Sequence, residues 1–186
     1  MLCIPFASTA FADFQGQFEK VGDLPKPNSL SVVLVEEYFS FSCPHCNHFR
    51  DAIKPFLLKF KGKIKYVGIP VVSSRDTDLA PRLYFLAEKM GKAELVKDLI
   101  FDAHFNQGVN INDPGVVGYL ARSAGLGEIY KKEAESEWVE QKLFQARMKA
   151  VAISLESTPT LVVQESMKIT GVISNLDYLL TQILKK

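Results

Sequence analysis

The sequence predicts an α/β fold in which a helical insertion separates a strand–helix–strand half from a half made of a hairpin and a helix. Three observations predict it. An apolar run over 31–41 indicates a strand buried on both faces. Residues 76–155 show helical periodicity with almost no strand signal, and short β-rich runs return after Pro159. With 186 residues, of which 47% are hydrophobic, the chain is long enough to bury a full core.

The first half alternates strand and helix. Residues 13–29 form a polar lead-in with a possible edge strand over 18–21. A central strand, a helix and a second strand follow over 31–41, 43–60 and 63–72. Pro55 lies inside the helix, where it removes a backbone hydrogen bond and should bend it. The order strand–helix–strand predicts a right-handed parallel crossover.

The insertion is predicted to be entirely helical. Gly91 can end its first helix, and Asp113 and Pro114 can cap and begin a shorter one. The pattern over 127–153 supports one long or broken helix. We therefore divide the chain into a core over 13–75 and 154–186 and an inserted helical domain over 76–153.

The second half begins after Pro159 with two short β-rich runs. Residues 160–163 and 167–170 flank a polar turn, which predicts a hairpin. Ser174 is the predicted cap of a final helix with one apolar face.

Charge and composition make two kinds of partner unexpected. The formal net charge is +1 and no block of basic residues occurs, so the sequence gives no reason to expect nucleic acid as a partner. No apolar run is long enough to span a bilayer.

The first twelve residues form a short apolar leader. Ala10-Phe11-Ala12 matches the A-x-A pattern of a signal-peptidase site, so we interpret 1–12 as the remnant of a signal peptide. The alternative is an unstructured apolar N terminus. Cleavage before Asp13 would remove Cys3 and leave one pair of cysteines, which would be catalytic rather than structural.

That pair lies in Cys43-Pro44-His45-Cys46, where the central strand meets the first helix. Pro44 suits the first helical position, which places Cys43 at the N-cap beside unpaired N–H groups and the positive end of the helix dipole. A thiolate is favoured there, and thiolate is the nucleophile in disulfide exchange. Cys43 would therefore be the attacking and leaving thiol. Cys46, one turn further on and pointing inward, would be the resolving thiol with a high pKa.

A metal site is the alternative for this motif. Two cysteines need two further ligands to hold zinc, and the chain has no second Cys-x-x-Cys. His45, His48 and His104 are its only histidines, and they lack well-spaced partners. We favour redox chemistry over a metal-binding module, and interpret His48 and His104 as structural or surface residues.

The motif resembles the redox site of the DsbA family, whose members are periplasmic thiol oxidases. Pro44-His45 matches that family's middle pair, and 37–41 is similar to the strand that enters its site. The resemblance extends roughly over 18–184. It implies a thioredoxin fold with a helical insertion, disulfide donation to unfolded exported proteins with free cysteines, a periplasmic location and a membrane reoxidase of the DsbB type. It implies no bound cofactor, and we expect a monomer.

The resemblance also assigns residues outside the cysteines. In this family the pair between the cysteines tunes the potential, so His45 is expected to favour the reduced form by its charge or a hydrogen bond to Cys43. The alternative is an exposed helix residue. Pro159 matches the family's cis proline facing the redox pair, and the backbone of Thr158 is expected to bind an extended substrate. Thr158 departs from the valine that the best-studied members of the family carry here; threonine at this place is also common in disulfide isomerases and in some other relatives, which leaves an isomerase or a reductase as an alternative function.

Glu37 is a further candidate because a carboxylate in a central strand is costly unless paired. The family has an acid at this place and a lysine on the neighbouring strand, which Lys65 matches. The resemblance implies a buried Glu37–Lys65 pair that transfers protons near Cys46. The alternative places Glu37 at the surface and Glu36 inside, since neighbouring strand residues face opposite sides.

Overall fold

The computed structural model describes residues 18–23, 30–170 and 173–184. Within them a five-stranded sheet has the order β1-β5-β4-β2-β3. The strands are β1 Glu19–Lys20, β2 Val33–Phe39, β3 Ile64–Pro70, β4 Thr160–Val163 and β5 Met167–Thr170. β2 and β3 are parallel, whereas the other neighbouring pairs are antiparallel. The parallel crossover, the hairpin and the edge strand are therefore confirmed.

Helix α1, Pro44–Lys59, connects β2 to β3 and contains Pro55, as predicted. Between β3 and β4 lie only helices in the described residues, and α7 follows β5. These helices are α2 Leu79–Lys89, α3 Ala93–Phe105, α4 Pro114–Ser123, α5 Gly127–Glu133, α6 Glu137–Ala152 and α7 Ile173–Ile183. In the described ranges, none is long and apolar enough to cross a lipid bilayer.

Two helix boundaries differ from or refine the sequence prediction. The helical pattern over 127–153 is broken, because α6 restarts at a cap in which Ser136 Oγ accepts the Val139 N–H at 3.4 Å. Ser174 is not a cap, because α7 already begins at Ile173. Asp113 caps α4 as expected, its Oδ1 accepting the Gly115 N–H at 2.7 Å.

The central strand lies between two apolar clusters. One cluster joins β2, β4 and β5 to α1 and α7. The other joins the end of β2 and Cys46 to the inserted helices. All residues of β2 are buried except Leu34, which is half-buried, so the prediction of burial on both faces is confirmed.

Aromatic side chains join the insertion to the end of β2. The Phe39 and Phe41 rings lie 5.0 Å apart, centroid to centroid. Phe41 contacts Phe101 of α3 at 5.3 Å, and Phe39 contacts Tyr84 of α2 at 5.5 Å. Edge-to-face and tilted pairs at these separations are favourable. The inserted helices thus pack directly behind the segment that leads into the Cys-x-x-Cys motif.

The predicted signal-peptide remnant over 1–12, with Cys3 and the cleavage site before Asp13, lies outside the described residues.

Candidate active site

Cys43 occupies the N-cap of α1, as the sequence predicts. Its backbone is extended (φ −87°, ψ 116°), and Pro44 begins the helix. Cys43 Sγ accepts the Cys46 N–H at 3.4 Å. A donor aimed at sulfur and the positive end of the helix dipole both favour thiolate over thiol. The N-cap position of Cys43 therefore stabilises a negative charge on its sulfur.

Cys46 lies in a very different environment from Cys43. Both are free thiols, but Cys46 is fully buried whereas Cys43 is half-buried. Burial raises the pKa of Cys46 far above its usual value, and contacts with Thr158 and Ser40 that lower it do not offset this. Cys46 therefore remains a thiol at neutral pH, which leaves Cys43 as the thiol that substrates can reach.

The Thr158–Pro159 peptide bond is cis and faces the cysteines, as the resemblance implied. The Cys43 thiol donates to the Thr158 carbonyl oxygen at 3.3 Å, across 115 positions of sequence. Thr160 Oγ1 donates to the Ser157 carbonyl oxygen at 2.7 Å and so holds the loop where β4 begins. The two motifs that the sequence keeps far apart thus meet at the Cys43 sulfur.

The histidines have separate environments. His45 is exposed in the first turn of α1, and the hydrogen bonds described for the Cys43 sulfur involve Thr158 and Cys46 instead. The predicted influence of His45 therefore depends on its charge. His104 Nδ1 lies 3.2 Å from the Val109 carbonyl oxygen, consistent with a structural role. The described part of the chain contains no group of three or more His, Cys, Asp or Glu residues placed to hold a metal ion.

Glu37 is fully buried, but its predicted partner is wrong. Its Oε2 accepts from Lys97 Nζ of α3 at 2.5 Å and from the Tyr66 hydroxyl at 2.5 Å. Lys65 is exposed, because neighbours in β3 face opposite sides and Tyr66 takes the side toward Glu37. The cation comes from the insertion instead of the adjacent strand.

Glu36 is buried as well, so the alternative of a surface Glu37 is also wrong. Its carboxylate pairs with Lys149 of α6, and the Tyr38 hydroxyl donates to it at 3.4 Å. Both neighbours are buried because helices cover both faces of the central strand. Each acid therefore has its own lysine from the insertion.

Sequence reasoning missed Lys97 and Tyr66. Lys97 is almost fully buried, and its Nζ lies 4.3 Å from the centroid of the Phe39 ring. One signal was available: Lys97 lies within the apolar stripe of its helix, where a lysine is unusual unless paired. Burial and the nearby Glu37 carboxylate raise the pKa of Tyr66. The phenol therefore stays protonated, and its O–H donates a hydrogen bond to Glu37. Glu37 Oε1 is buried and has no hydrogen-bond partner.

Comparison with known proteins places this geometry in a family. A family model described as thioredoxin matches residues 28–174. The thiol:disulfide interchange protein DsbA of Burkholderia cepacia is 25% identical over 193 residues, covering 98% of this chain and 89% of the relative. The DsbA of Pseudomonas syringae pv. tomato is also 25% identical, over 138 residues; that match spans 74% of this chain and only 63% of the relative.

Solved structures share the fold. The oxidoreductase DsbA from Xylella fastidiosa has a TM-score of 0.77 at 23% identity, covering 89% of this chain and 94% of that one. DsbA from Pseudomonas aeruginosa has a TM-score of 0.75 at 20% identity, covering 89% and 91%. These likenesses confirm the α/β fold with a helical insertion.

An N-cap cysteine and a buried partner thiol one turn away form the arrangement that thiol–disulfide exchange requires. The chain belongs to the thioredoxin family.

Proposed function

We propose that this protein donates disulfide bonds to exported proteins by exchange at Cys43 and Cys46. The observation that carries the proposal is the contrast between a half-buried N-cap thiol and a fully buried thiol whose pKa is raised. That contrast gives the two sulfurs different roles, because only the accessible one can meet a substrate. The relatives named DsbA support donation over isomerisation or reduction, the alternatives that Thr158 had left open.

The exchange needs two displacements. A substrate thiolate attacks Cys43 Sγ of the oxidised pair; the Cys43–Cys46 bond breaks, and Cys46 leaves and takes up a proton. A second substrate thiolate then attacks the substrate sulfur of the mixed disulfide. Cys43 leaves as a thiolate, which its N-cap position stabilises. The substrate loses two electrons and the protein gains them, so both cysteines end reduced.

Glu37 is proposed to act as a relay in proton transfer to Cys46: its carboxylate takes up a proton from water and passes it to the leaving Cys46 sulfur, which returns Glu37 to its ionised form. A buried sulfur with a raised pKa is a poor leaving group until it is protonated. Glu37 is buried in the strand that leads to the site and keeps one oxygen without a partner. Lys97 and Tyr66 hold its other oxygen in place. Replacing Glu37→Gln should therefore slow release of Cys46 during stopped-flow oxidation of a dithiol peptide; an unchanged rate would remove Glu37 from this role.

The Thr158 carbonyl oxygen and the adjacent surface support binding of an extended chain. When substrate sulfur replaces the Cys43 thiol proton, that carbonyl becomes free to accept a substrate N–H. An open groove of about 990 Å³ lies next to the loop that carries Thr158, since residues 154–156 of that loop line it. Its lining includes Val72, Leu143, Phe144, Val151 and Leu155, of which Phe144 and Val151 are strongly exposed. An unfolded polypeptide would present apolar side chains to such a surface.

The remaining parts of the proposal concern location and partners. The DsbA relatives support export to the periplasm, unfolded substrates with free cysteines and reoxidation by a membrane protein of the DsbB type. The protein is proposed to act as a monomer, without a bound cofactor and without binding nucleic acid. His45, Pro44 and Pro159 are assigned to tuning the potential and shaping the site.

The test uses a reduced peptide with two cysteines and follows loss of its thiols. Cys43→Ser and Cys46→Ser should each abolish oxidation, because neither variant can form the disulfide that the peptide thiols attack. With the oxidised form of the same peptide, Cys46→Ser should instead accumulate a mixed disulfide through Cys43, visible by mass, because the Cys43 thiolate opens the peptide disulfide and no Cys46 is present to resolve the product. His48→Gln is a matched control in the same helix, because His48 is exposed outside the motif, and should leave oxidation unchanged. Activity retained by Cys43→Ser would refute the assignment.

A further inference from the structure

A carboxylate lies beside the segment that carries Cys43. Asp76, in the loop between β3 and α2, accepts hydrogen bonds at Oδ2 from Ser42 Oγ and from Ser73 Oγ, each at 2.5 Å. Its Oδ1 accepts from Asn112 Nδ2, in the loop before α4, at 3.4 Å. Ser42 directly precedes Cys43. Asp76 therefore joins three loops at the entrance to the redox helix.

The direction of these hydrogen bonds follows from the charge on Asp76. An ionised carboxylate only accepts, so the Ser42 hydroxyl proton points to Asp76. In the 3.0 Å contact between the Ser40 and Ser42 hydroxyls, Ser40 must then be the donor. The Ser42 N–H donates back to Ser40 Oγ at 3.3 Å, and the Cys43 N–H donates to the Ser40 carbonyl oxygen at 3.2 Å. Asp76 thus holds the Ser42 side chain, and through it the Ser40 hydroxyl, in the segment that leads to Cys43.

Asp76 retains its negative charge over the working pH range. Burial by itself would raise the pKa of Asp76, but hydrogen bonds from Ser42, Ser73 and Asn112 and attraction to His104 together outweigh it, and the pKa lies below its usual value. The neighbouring space is closely packed, with a void of only about 10 Å³. Asp76 itself is half-buried, so its charge is only partly screened by solvent.

We propose that Asp76 is a positioning residue for the redox site: acting through Ser42 it fixes segment 40–43, and its charge opposes the thiolate on Cys43. A like charge nearby disfavours ionisation. A less stable thiolate makes the dithiol form less stable, and the disulfide becomes a weaker oxidant. Asp76 therefore limits the oxidising strength that the helix N terminus confers. This inference rests on the proposed function, in which Cys43 is the attacking thiol.

The experiment compares glutathione equilibria of the wild type and Asp76→Asn. The reaction is protein disulfide plus two glutathione thiols giving protein dithiol plus glutathione disulfide. Asparagine keeps the size and an acceptor oxygen but removes the charge. The equilibrium should shift about two- to five-fold toward reduced protein, as expected for one half-exposed charge in an intermediate dielectric. The pKa of Cys43, followed by thiolate absorbance, should fall in parallel.

A matched control and a second variant make the result decisive. Asp177→Asn makes the same change at a half-exposed aspartate of α7 that pairs with Lys59, and should leave the equilibrium unchanged. Asp76→Ser removes the charge with a smaller side chain and should shift the equilibrium in the same direction. It replaces Asp76→Asn if that variant does not fold.

Salt separates a charge effect from a packing effect. The difference between wild type and Asp76→Asn should shrink in 1 M salt, where the screening length falls from about 10 Å to about 3 Å. A folded variant with the wild-type equilibrium and Cys43 pKa would overturn the inference, as would a shift that salt does not change. A wild type that fails to exchange with glutathione would instead refute the proposed function.

Discussion

Lys97 Nζ lies 2.5 Å from Glu37 Oε2, and both side chains are almost completely buried. Glu37 belongs to the central strand and Lys97 to the inserted α3, so this contact joins the two parts of the chain beneath the redox site. Such a pair contributes little net stability compared with apolar residues, but removing one partner leaves a buried charge uncompensated. The inserted helix α3 therefore supplies the cation that neutralises the Glu37 carboxylate in the central strand.

Replacing Lys97→Met should strongly destabilise the protein. Methionine fills a similar volume but leaves Glu37 without its cation, which costs about 3–5 kcal/mol of unfolding free energy. Lys65→Met is the matched control, because Lys65 is the exposed lysine originally expected to pair with Glu37; its effect should stay within about 0.5 kcal/mol. Urea unfolding measures both. Equal effects would show that Lys97 does not neutralise Glu37.

A double variant tests whether charge or packing causes that loss. Glu37→Gln combined with Lys97→Met removes both charges and keeps the approximate volume. It should recover most of the stability lost by Lys97→Met alone, because no unpaired charge remains buried. If the double variant is as unstable as Lys97→Met, the loss comes from packing around Lys97.

Alkylation should distinguish the two cysteines at neutral pH. The N-cap position and partial exposure of Cys43 favour a reactive thiolate, whereas burial raises the pKa of Cys46 and keeps it protonated. Iodoacetamide should therefore modify Cys43 in Cys46→Ser, and modify Cys46 only slowly in Cys43→Ser. Mass spectrometry over time gives both rates. Faster modification of Cys46 would reverse the assigned roles.

The stability of the reduced protein should fall at alkaline pH. In the unfolded chain Cys46 ionises near pH 8.5, but burial raises its pKa in the folded state, so the folded state binds more protons above that pH. The contribution of Cys46 to the free energy of unfolding is fully present below about pH 8.5. It declines by about 1 kcal/mol between pH 9 and pH 10. Denaturant unfolding of wild type and Cys46→Ser measures this difference. Parallel pH profiles would contradict the buried thiol.

The contiguous parts of the site could be predicted from the sequence. Cys43, Pro44 and Cys46 are fixed by helix geometry, because the cap, the first position and the next turn are local. Lys97 could not be assigned as the partner of Glu37, because 60 positions separate them and the contact depends on how α3 packs. Asp76 was missed for a similar reason, since its role requires three loops to meet.

The reduction potential of the Cys43–Cys46 pair, measured by equilibration against glutathione buffers, tests the central claim most directly. The stabilised N-cap thiolate predicts a value well above the about −270 mV of thioredoxin, toward the about −120 mV of the strongest oxidants of this fold. A value close to that of thioredoxin would mean that the dithiol acts as a reductant, and would contradict disulfide donation.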